Sequence, residues 1–293
     1  MTSAADAGRQ QRPPADPAMS RPAPLRVAAV QAVSVAGDVE RNVATAASWV
    51  RLAVEQGSRL VVLPELFLPG YHPPTLRDQP DRCDVTTDDP RLEPLSETAR
   101  ASGVAVVVSA SVRRGRGGRS LALLSFAPSG EVTVAYSKQH LWKDERDIFT
   151  AGSRGATLTL DGWNLGLGVC YDGCFPEHAR AATDAGALAY VCPSAYVVGS
   201  EHRRDLYYAA RALDNGIYVV LAGLVGGCGD LEFGGGTAVY DPQGRAVERL
   251  DAGQGLVVAD LDYSQVVEAR LINPYDRDRI ADLGGRDVVR LAG

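Results

Sequence analysis

The sequence predicts an α/β protein of two stacked mixed sheets with helices on the outer faces, and three observations carry that prediction. Short, continuous apolar runs such as Arg59–Pro64 (RLVVLP) and Val104–Ser109 lack the alternation of a half-exposed strand, so both faces of those strands must be covered. Val39, Val43, Ala46, Val50 and Ala53 recur at helical spacing ahead of RLVVLP, which makes a strand–helix–strand unit. Leu121–Phe126 and Val132–Tyr136 are joined instead by Pro128-Ser129-Gly130, turn chemistry that makes an antiparallel hairpin.

The elements follow in order. Leu25–Ala32 (LRVAAVQA) is the first ordered strand, and Gly57 suits the left-handed residue that closes the helix after it. RLVVLP is the next strand, a helix spans about residues 92–102, and Val104–Ser109 follows. Beyond the hairpin, strands are expected at Ala156–Leu160, Leu165–Val169 and Leu188–Cys192, with helices over Pro176–Ala185 and Glu201–Asp214. Ile217–Ala222, Gly236–Tyr240 and Gly255–Leu261 complete the strands, and Asp241-Pro242-Gln243-Gly244 is a turn. No repeat or linker interrupts this run, so residues 25–270 are read as one domain. Residues 1–24, rich in Ala, Pro, Gln and Arg, are expected to be a disordered arm. The charged, weakly periodic residues 271–293 are expected to form a C-terminal arm that packs on a partner subunit.

Composition excludes several classes. A net charge of −6 and a pI of about 5.3, with no basic run, make nucleic acid a poor partner. No stretch of about 18 apolar residues occurs, so no membrane span is expected. The first residues lack the apolar core of a signal peptide, which points to a cytoplasmic protein. Its five cysteines, odd in number and irregularly spaced, then read as thiols rather than disulfides. The glycines around 166–168 and 223–236 form neither a dinucleotide fingerprint nor a phosphate loop.

Three polar groups sit where strands end, the place where open α/β sheets hold their ligands. Glu65 follows RLVVLP, Lys138 follows the hairpin strand VTVAY, and Cys170 follows LGLGV just ahead of a helical segment. Taken singly, each has a plain structural role: a buried small side chain, a loop carboxylate, a charged guard on an edge strand. Together they would make a hydrolase. A carboxylate takes the thiol proton, while an ammonium and a helix N-terminus favour the thiolate. The attacked carbonyl becomes an oxyanion, which Lys138 and a backbone N–H after Cys170 would steady, such donors being worth roughly 3–4 kcal/mol each. No metal or cofactor is required. His72, His140, His178 and His202 carry no local signature of a Cys–His pair, and Cys174 and Cys192 read as structural.

The surrounding residues carry more. LPELFLPGY around Glu65, YSKQHLWKDERDIFTAG around Lys138 and GVCYDGCFPEHAR around Cys170 resemble, in order and spacing, the nitrilase superfamily of carbon–nitrogen hydrolases. VCPSAY at 191–196, RALDNGIYVV at 211–220 and GGGTAVYDPQG at 234–244 extend the resemblance over about residues 25–279. The resemblance implies a four-layer α-β-β-α sandwich and self-association, as a homodimer or a larger homo-oligomer. It implies Glu65 as general base, Cys170 as nucleophile, Lys138 and the Tyr171 N–H as stabilisers of the tetrahedral intermediate, and Glu145 as a further carboxylate that positions lysine or substrate.

Tyr171-Asp172 after the nucleophile looks more like the amidase and carbamoylase branches than like nitrilases, which usually carry Trp there. Carbamoyl-amino-acid hydrolases often place arginines where this chain has Gly173 and Cys174, so that carboxylate anchor is missing. Arg203 and Arg204 are the alternative anchor, although beside Glu201 and Asp205 they read as a solvated helix face. The expected substrate is a small linear amide, an ω-amide or N-carbamoyl amine, with Tyr71, Tyr171, Cys174 and Tyr196 lining the pocket. Nitrile hydrolysis, an amine acceptor in place of water, and a catalytically silent binding module of the same fold remain the alternatives.

Overall fold

One strand shows how two cores are served at once. In β1 (Leu25–Gln31), Leu25, Val27 and Ala29 point into the space between two sheets, while Ala28 and Val30 point towards helices. All five are buried, as a strand covered on both faces requires. The computed structural model describes residues 21–115, 118–280 and 282–291.

In chain order, β2 (Leu60–Val62), β3 (Asp84–Val85), β4 (Ala105–Arg113), β5 (Arg119–Phe126) and β6 (Val132–Ser137) join β1 in the first sheet. The second sheet takes β7 (Ala156–Leu160), β8 (Trp163–Leu167), β9 (Ala189–Val191) and β10 (Tyr218–Leu221). A separate hairpin, β11 (Val225–Cys228) with β12 (Leu231–Gly234), follows. Then β13 (Ala238–Tyr240) and β14 (Ala246–Arg249) extend the second sheet, and β15 (Gly255–Leu261) returns to pair antiparallel with β1. Both sheets are mixed: β1, β2 and β4 run parallel, as do β8, β9 and β10, with antiparallel strands on either side.

Helices α1 (Val39–Glu55) and α4 (Glu93–Ser102) bury Val43, Ala46, Val50, Leu95 and Ala99 against the outer face of the first sheet. Short helices α2 (Pro73–Asp78) and α3 (Pro80–Cys83) lie between them in the chain. On the other side, α5 (Pro176–Asp184) and α6 (Glu201–Asn215) pack Ala179, Tyr208 and Ala212 against Tyr190, Val219 and Leu221. Between the sheets lie Val62, Val107, Trp163, Leu165, Val191 and Val220, all buried. The layers are therefore α-β-β-α.

Gly57 ends α1 as expected, with φ +79°. Some strands are shorter than expected, as at Leu60–Val62, where the Leu63 N–H still donates to the Val107 carbonyl at 2.9 Å, while β4 runs on to Arg113. β14, the β11–β12 hairpin and α7 (Tyr263–Ile272) carry no clear periodic pattern in sequence and emerge only from the structure. Residues 1–20 of the expected N-terminal arm lie outside the described residues. Residues 21–24 lie against the body, where the Ala23 carbonyl accepts the Trp163 indole N–H at 2.8 Å. At the other end, α8 (Tyr275–Asp278) precedes an exposed stretch without regular structure.

Candidate active site

The three strand-end residues meet. Glu65 stands three residues beyond β2, Lys138 directly after β6 and Cys170 three beyond β8, so both sheets deliver their chain ends to one point. Lys138 Nζ donates to Glu65 Oε1 at 2.6 Å and to both oxygens of Glu145 at 2.8 Å. An ammonium has three protons, and here all three are committed. Glu65, Lys138 and Glu145 are each buried to 2% exposure or less. A lone charge could not stay ionised there; a mutually paired set can.

Glu145 accepts four hydrogen bonds from three residues. Besides Lys138, it accepts the Tyr71 hydroxyl at 2.6 Å and the Trp142 backbone N–H at 2.8 Å, the latter within the 3-10 turn Lys143–Asp147 that carries it. Its oxygens are fully occupied, so its contact is with lysine rather than with substrate. Glu65 differs: its Oε2 is buried and accepts no hydrogen bond among the described residues. Burial raises the Glu65 carboxyl from its ordinary value to about 7, against the pull of the Lys138 ammonium, while Glu145 adds to the rise and the nearby Cys170 thiol opposes it. Burial alone would lower Lys138, yet the Glu145 and Glu65 carboxylates hold it protonated, well above an ordinary lysine.

Cys170 opens a 3-10 turn, Cys170–Cys174, with its backbone in the left-handed region at φ +44°. Such a conformation costs a non-glycine residue about 1–3 kcal/mol and persists only where the surroundings fix it. Here the Cys170 N–H donates to the Pro193 carbonyl at 2.9 Å, and the Tyr208 hydroxyl donates to the Cys170 carbonyl at 3.1 Å. Burial, followed by the Glu65 charge, pushes the thiol well above its ordinary value, with Lys138 and the Ala195 N–H opposing. This corrects the expectation of a favoured thiolate: α5 begins only at Pro176, beyond the turn, and burial outweighs the ammonium. At rest the thiol keeps its proton and needs a base to lose it.

The expected pocket residues fall in three places. Tyr71 reaches the charged set through Glu145 and packs edge-on to Phe233 at 5.6 Å. Tyr171 packs against Trp142 at 4.7 Å and Phe175 at 4.9 Å. Cys174 and Tyr196 pair with each other at 3.5 Å, and Tyr196 packs on Tyr208. Trp142 and Tyr208 were not anticipated; a bulky aromatic inside the polar run HLWKDER was the one available signal for Trp142. An open cavity of about 580 Å³, lined by Val33, Arg204, Glu232, Phe233 and Arg249 among others, contains none of the triad, and its Phe233 packs against Tyr71. The buried charges mark the site better than that hollow does.

One sequence reading changes. Arg204 is not on a solvated face: it is 2% exposed, donates to the Gly235 carbonyl at 2.7 Å and pairs with Asp205. Arg204, Tyr208, Arg211, Ala212 and Asn215 form the inward stripe of α6, a spacing that charge alone obscured. At Gly173, a Cβ would stand 2.7 Å from a Tyr208 ring carbon, so no arginine fits where carbamoyl-amino-acid hydrolases often carry one. All five cysteines are free thiols. His140 and His178 do come near the Cys170 turn, but their partners are Asp172 and tyrosine hydroxyls, not the thiol.

Fold and site together define a cysteine-based hydrolase with a buried carboxylate–ammonium pair. Residues 26–271 match the model of the carbon–nitrogen hydrolase family, and the chain belongs to that family, within the amidase branch of the nitrilase superfamily. It is 32% identical over 268 residues to an (R)-stereoselective amidase from Pseudomonas sp., covering 89% of this chain and 93% of that protein. It is 27% identical over 272 residues to an omega-amidase from Mus musculus, covering 88% and 96%. Among solved structures, a cysteine-to-alanine variant of an amidase from Nesterenkonia superposes with a TM-score of 0.76 at 30% identity, covering 88% of this chain and 98% of that one. Another variant of that amidase carries acrylamide added at its active-site cysteine; it matches with a TM-score of 0.75 at 32% identity, over 86% and 99% of the two chains.

Proposed function

We propose that this carbon–nitrogen hydrolase cleaves small linear amides through a thioester on Cys170, with Glu65 as general base. The carrying observation is the buried pair at 2.6 Å that leaves Glu65 Oε2 without a hydrogen bond beside a protonated thiol. Glu65 takes the Cys170 proton as sulfur attacks the amide carbon, then passes it to the departing ammonia or amine. Water, activated by the same carboxylate, hydrolyses the thioester and returns the thiol. The Tyr171 N–H, at the start of the 3-10 turn, is a donor for the oxyanion. Lys138 becomes a second donor by giving up one of its bonds to Glu145, which otherwise holds it. Tyr71, Tyr171, Cys174 and Tyr196 form the pocket wall in this reading. Names of the relatives support an amide substrate, and the protonated resting thiol supports a base-dependent attack.

The same proposal places the enzyme in the cytoplasm, in keeping with five free thiols, and divides the chain into a catalytic body of residues 25–270 and an arm of residues 271–293. Leu283, Val288, Val289 and Leu291 are 77–91% exposed in that arm, which suits burial on a second copy in a homodimer. No helix among the described residues is long and apolar enough to cross a membrane.

The test is ammonia release from one panel of aliphatic amides, ω-amides, N-carbamoyl amines and nitriles. Turnover of at least one amide class is expected. Turnover of nitriles alone would replace the reading with nitrile hydrolysis, and no turnover with an unreactive Cys170 would leave a binding module.

A further inference from the structure

Asp172 is fully buried, two residues after the nucleophile, and its carboxylate gathers four donors. Oδ2 accepts the Val169 N–H at 3.0 Å and the Tyr136 hydroxyl at 2.8 Å. Oδ1 accepts the His140 backbone N–H at 2.9 Å and lies 2.8 Å from His140 Nδ1. Val169 immediately precedes Cys170, whereas Tyr136 and His140 stand two residues either side of Lys138. One carboxylate thus fastens the end of β8 in the second sheet to the end of β6 in the first.

The network behind it is complete. The Tyr136 hydroxyl also accepts the Gln139 N–H at 3.2 Å and lies 2.9 Å from His178 Nε2, while His178 Nδ1 lies 2.8 Å from the Tyr190 hydroxyl. With Nε2 protonated, His178 donates to Tyr136 and accepts from Tyr190, and every group is satisfied. His178 is accordingly neutral, held below its ordinary value by burial despite the Asp172 charge. Burial alone would raise Asp172, yet the hydrogen bond from His140, the Lys138 charge and the hydrogen bond from Tyr136 keep it ionised, below an ordinary carboxyl. His140, Asp172 and His178 present ligand atoms within 4.8 Å of one another, the spacing of a metal site. A cation on His178 Nε2 would displace the Tyr136 bond and force the Tyr190 bond to reverse, so hydrogen bonding accounts for the cluster better.

We infer that Asp172 is a positioning residue that sets the Cys170 turn against Lys138, and through Lys138 against Glu65. It touches no reacting atom. The left-handed backbone at Cys170 is sustained in part by the Asp172 cap on Val169, and the ammonium is aimed in part by the Tyr136 and His140 anchors around it. The inference rests on the proposed roles of Cys170 and Glu65, and it names a group that the proposed cycle itself does not use.

Asp172→Asn is the test, because an amide keeps the shape but supplies one acceptor oxygen where four donors converge. A small displacement of a reacting group is worth roughly 100-fold, so kcat should fall by about that factor while KM changes less than about threefold. Loosened Lys138 would stabilise ionised Glu65 less, so the acid limb of kcat/KM should move up from about 7 by about one pH unit. Alkylation of Cys170 by iodoacetamide, located by peptide mapping, should slow in parallel. A role in stability alone would lower the active fraction and leave the limb in place. Should Asp172→Asn not fold, Tyr136→Phe removes a single donor and should show the same signs with roughly a 10-fold loss in kcat. An unmoved pH limb and unchanged alkylation in the variant that folds would overturn the inference. If the wild type releases no ammonia from any amide, the functional proposal fails instead, and the alkylation rates still decide the role of Asp172.

Discussion

Acidification is the perturbation the site answers most directly. Glu65 must be ionised to take the Cys170 proton, and burial raises its carboxyl to about 7. The ionised fraction is then roughly 0.1 at pH 6 and 0.9 at pH 8, so kcat/KM should rise about tenfold between them. The thiol adds no limb of its own below pH 8, because it too lies well above its ordinary value. Initial rates of ammonia release from a neutral aliphatic amide, taken at half-unit steps from pH 5 to 9, give the profile. A half-maximum between about 6 and 8 is expected. A profile flat down to pH 5 would refute the claim that this buried carboxyl is the base.

The same raised carboxyl has a cost in stability. Its folded-state value lies above the ordinary 4.5, so stability is full below 4.5 and is lost as pH rises through about 7. That loss is about 3 kcal/mol for a shift of this size. Glu65→Gln, inactive, should therefore melt higher than the wild type at pH 8 and lose that advantage near pH 4; an equal or lower Tm at pH 8 would contradict the sign. Tyr71→Phe deletes one of the four bonds to Glu145, worth about 1 kcal/mol, and should lower kcat/KM about fivefold without unfolding the protein. Gly173→Arg should fail to fold, or melt far lower, because its Cβ meets the Tyr208 ring; a soluble, active variant would show that Tyr208 can move aside. Exhaustive treatment with a chelator should leave activity intact, and loss restored by a divalent ion would reassign the His140, Asp172 and His178 cluster as a metal site.

The fold was legible where burial wrote a period into the chain. α1 reads from Val39 to Ala53 because one stripe faces a sheet, and the β5–β6 hairpin reads from its turn. β14 does not: all four of its residues are exposed, so no apolar pattern marks it. Glu65, Lys138 and Cys170 were legible by position, each following a buried strand, and by their surroundings. Glu145 beside them was legible only from the resemblance, and the bonding that fixes each side chain was not legible at all. Lys138 taken alone looks like an edge guard, and β6 is indeed an edge strand, yet the side chain turns inward to two carboxylates, Glu65 from the loop after β2 and Glu145 seven residues further along its own loop. Arg204 was misjudged for the converse reason: its acidic neighbours suggest solvent, while its helical phase points inward beneath Gly235. Asp172 joins segments 32 residues apart or more in sequence, and no local pattern announces such a bond.

The central claim is a covalent acyl-enzyme on Cys170. Intact-mass spectrometry of the enzyme quenched in acid during turnover of a slow amide, followed by peptide mapping, tests it. The account predicts an added acyl mass on the peptide holding Cys170, absent from a folded and inactive Cys170→Ala variant. Ammonia release that survives in Cys170→Ala, or an adduct on Cys174 instead, would contradict it.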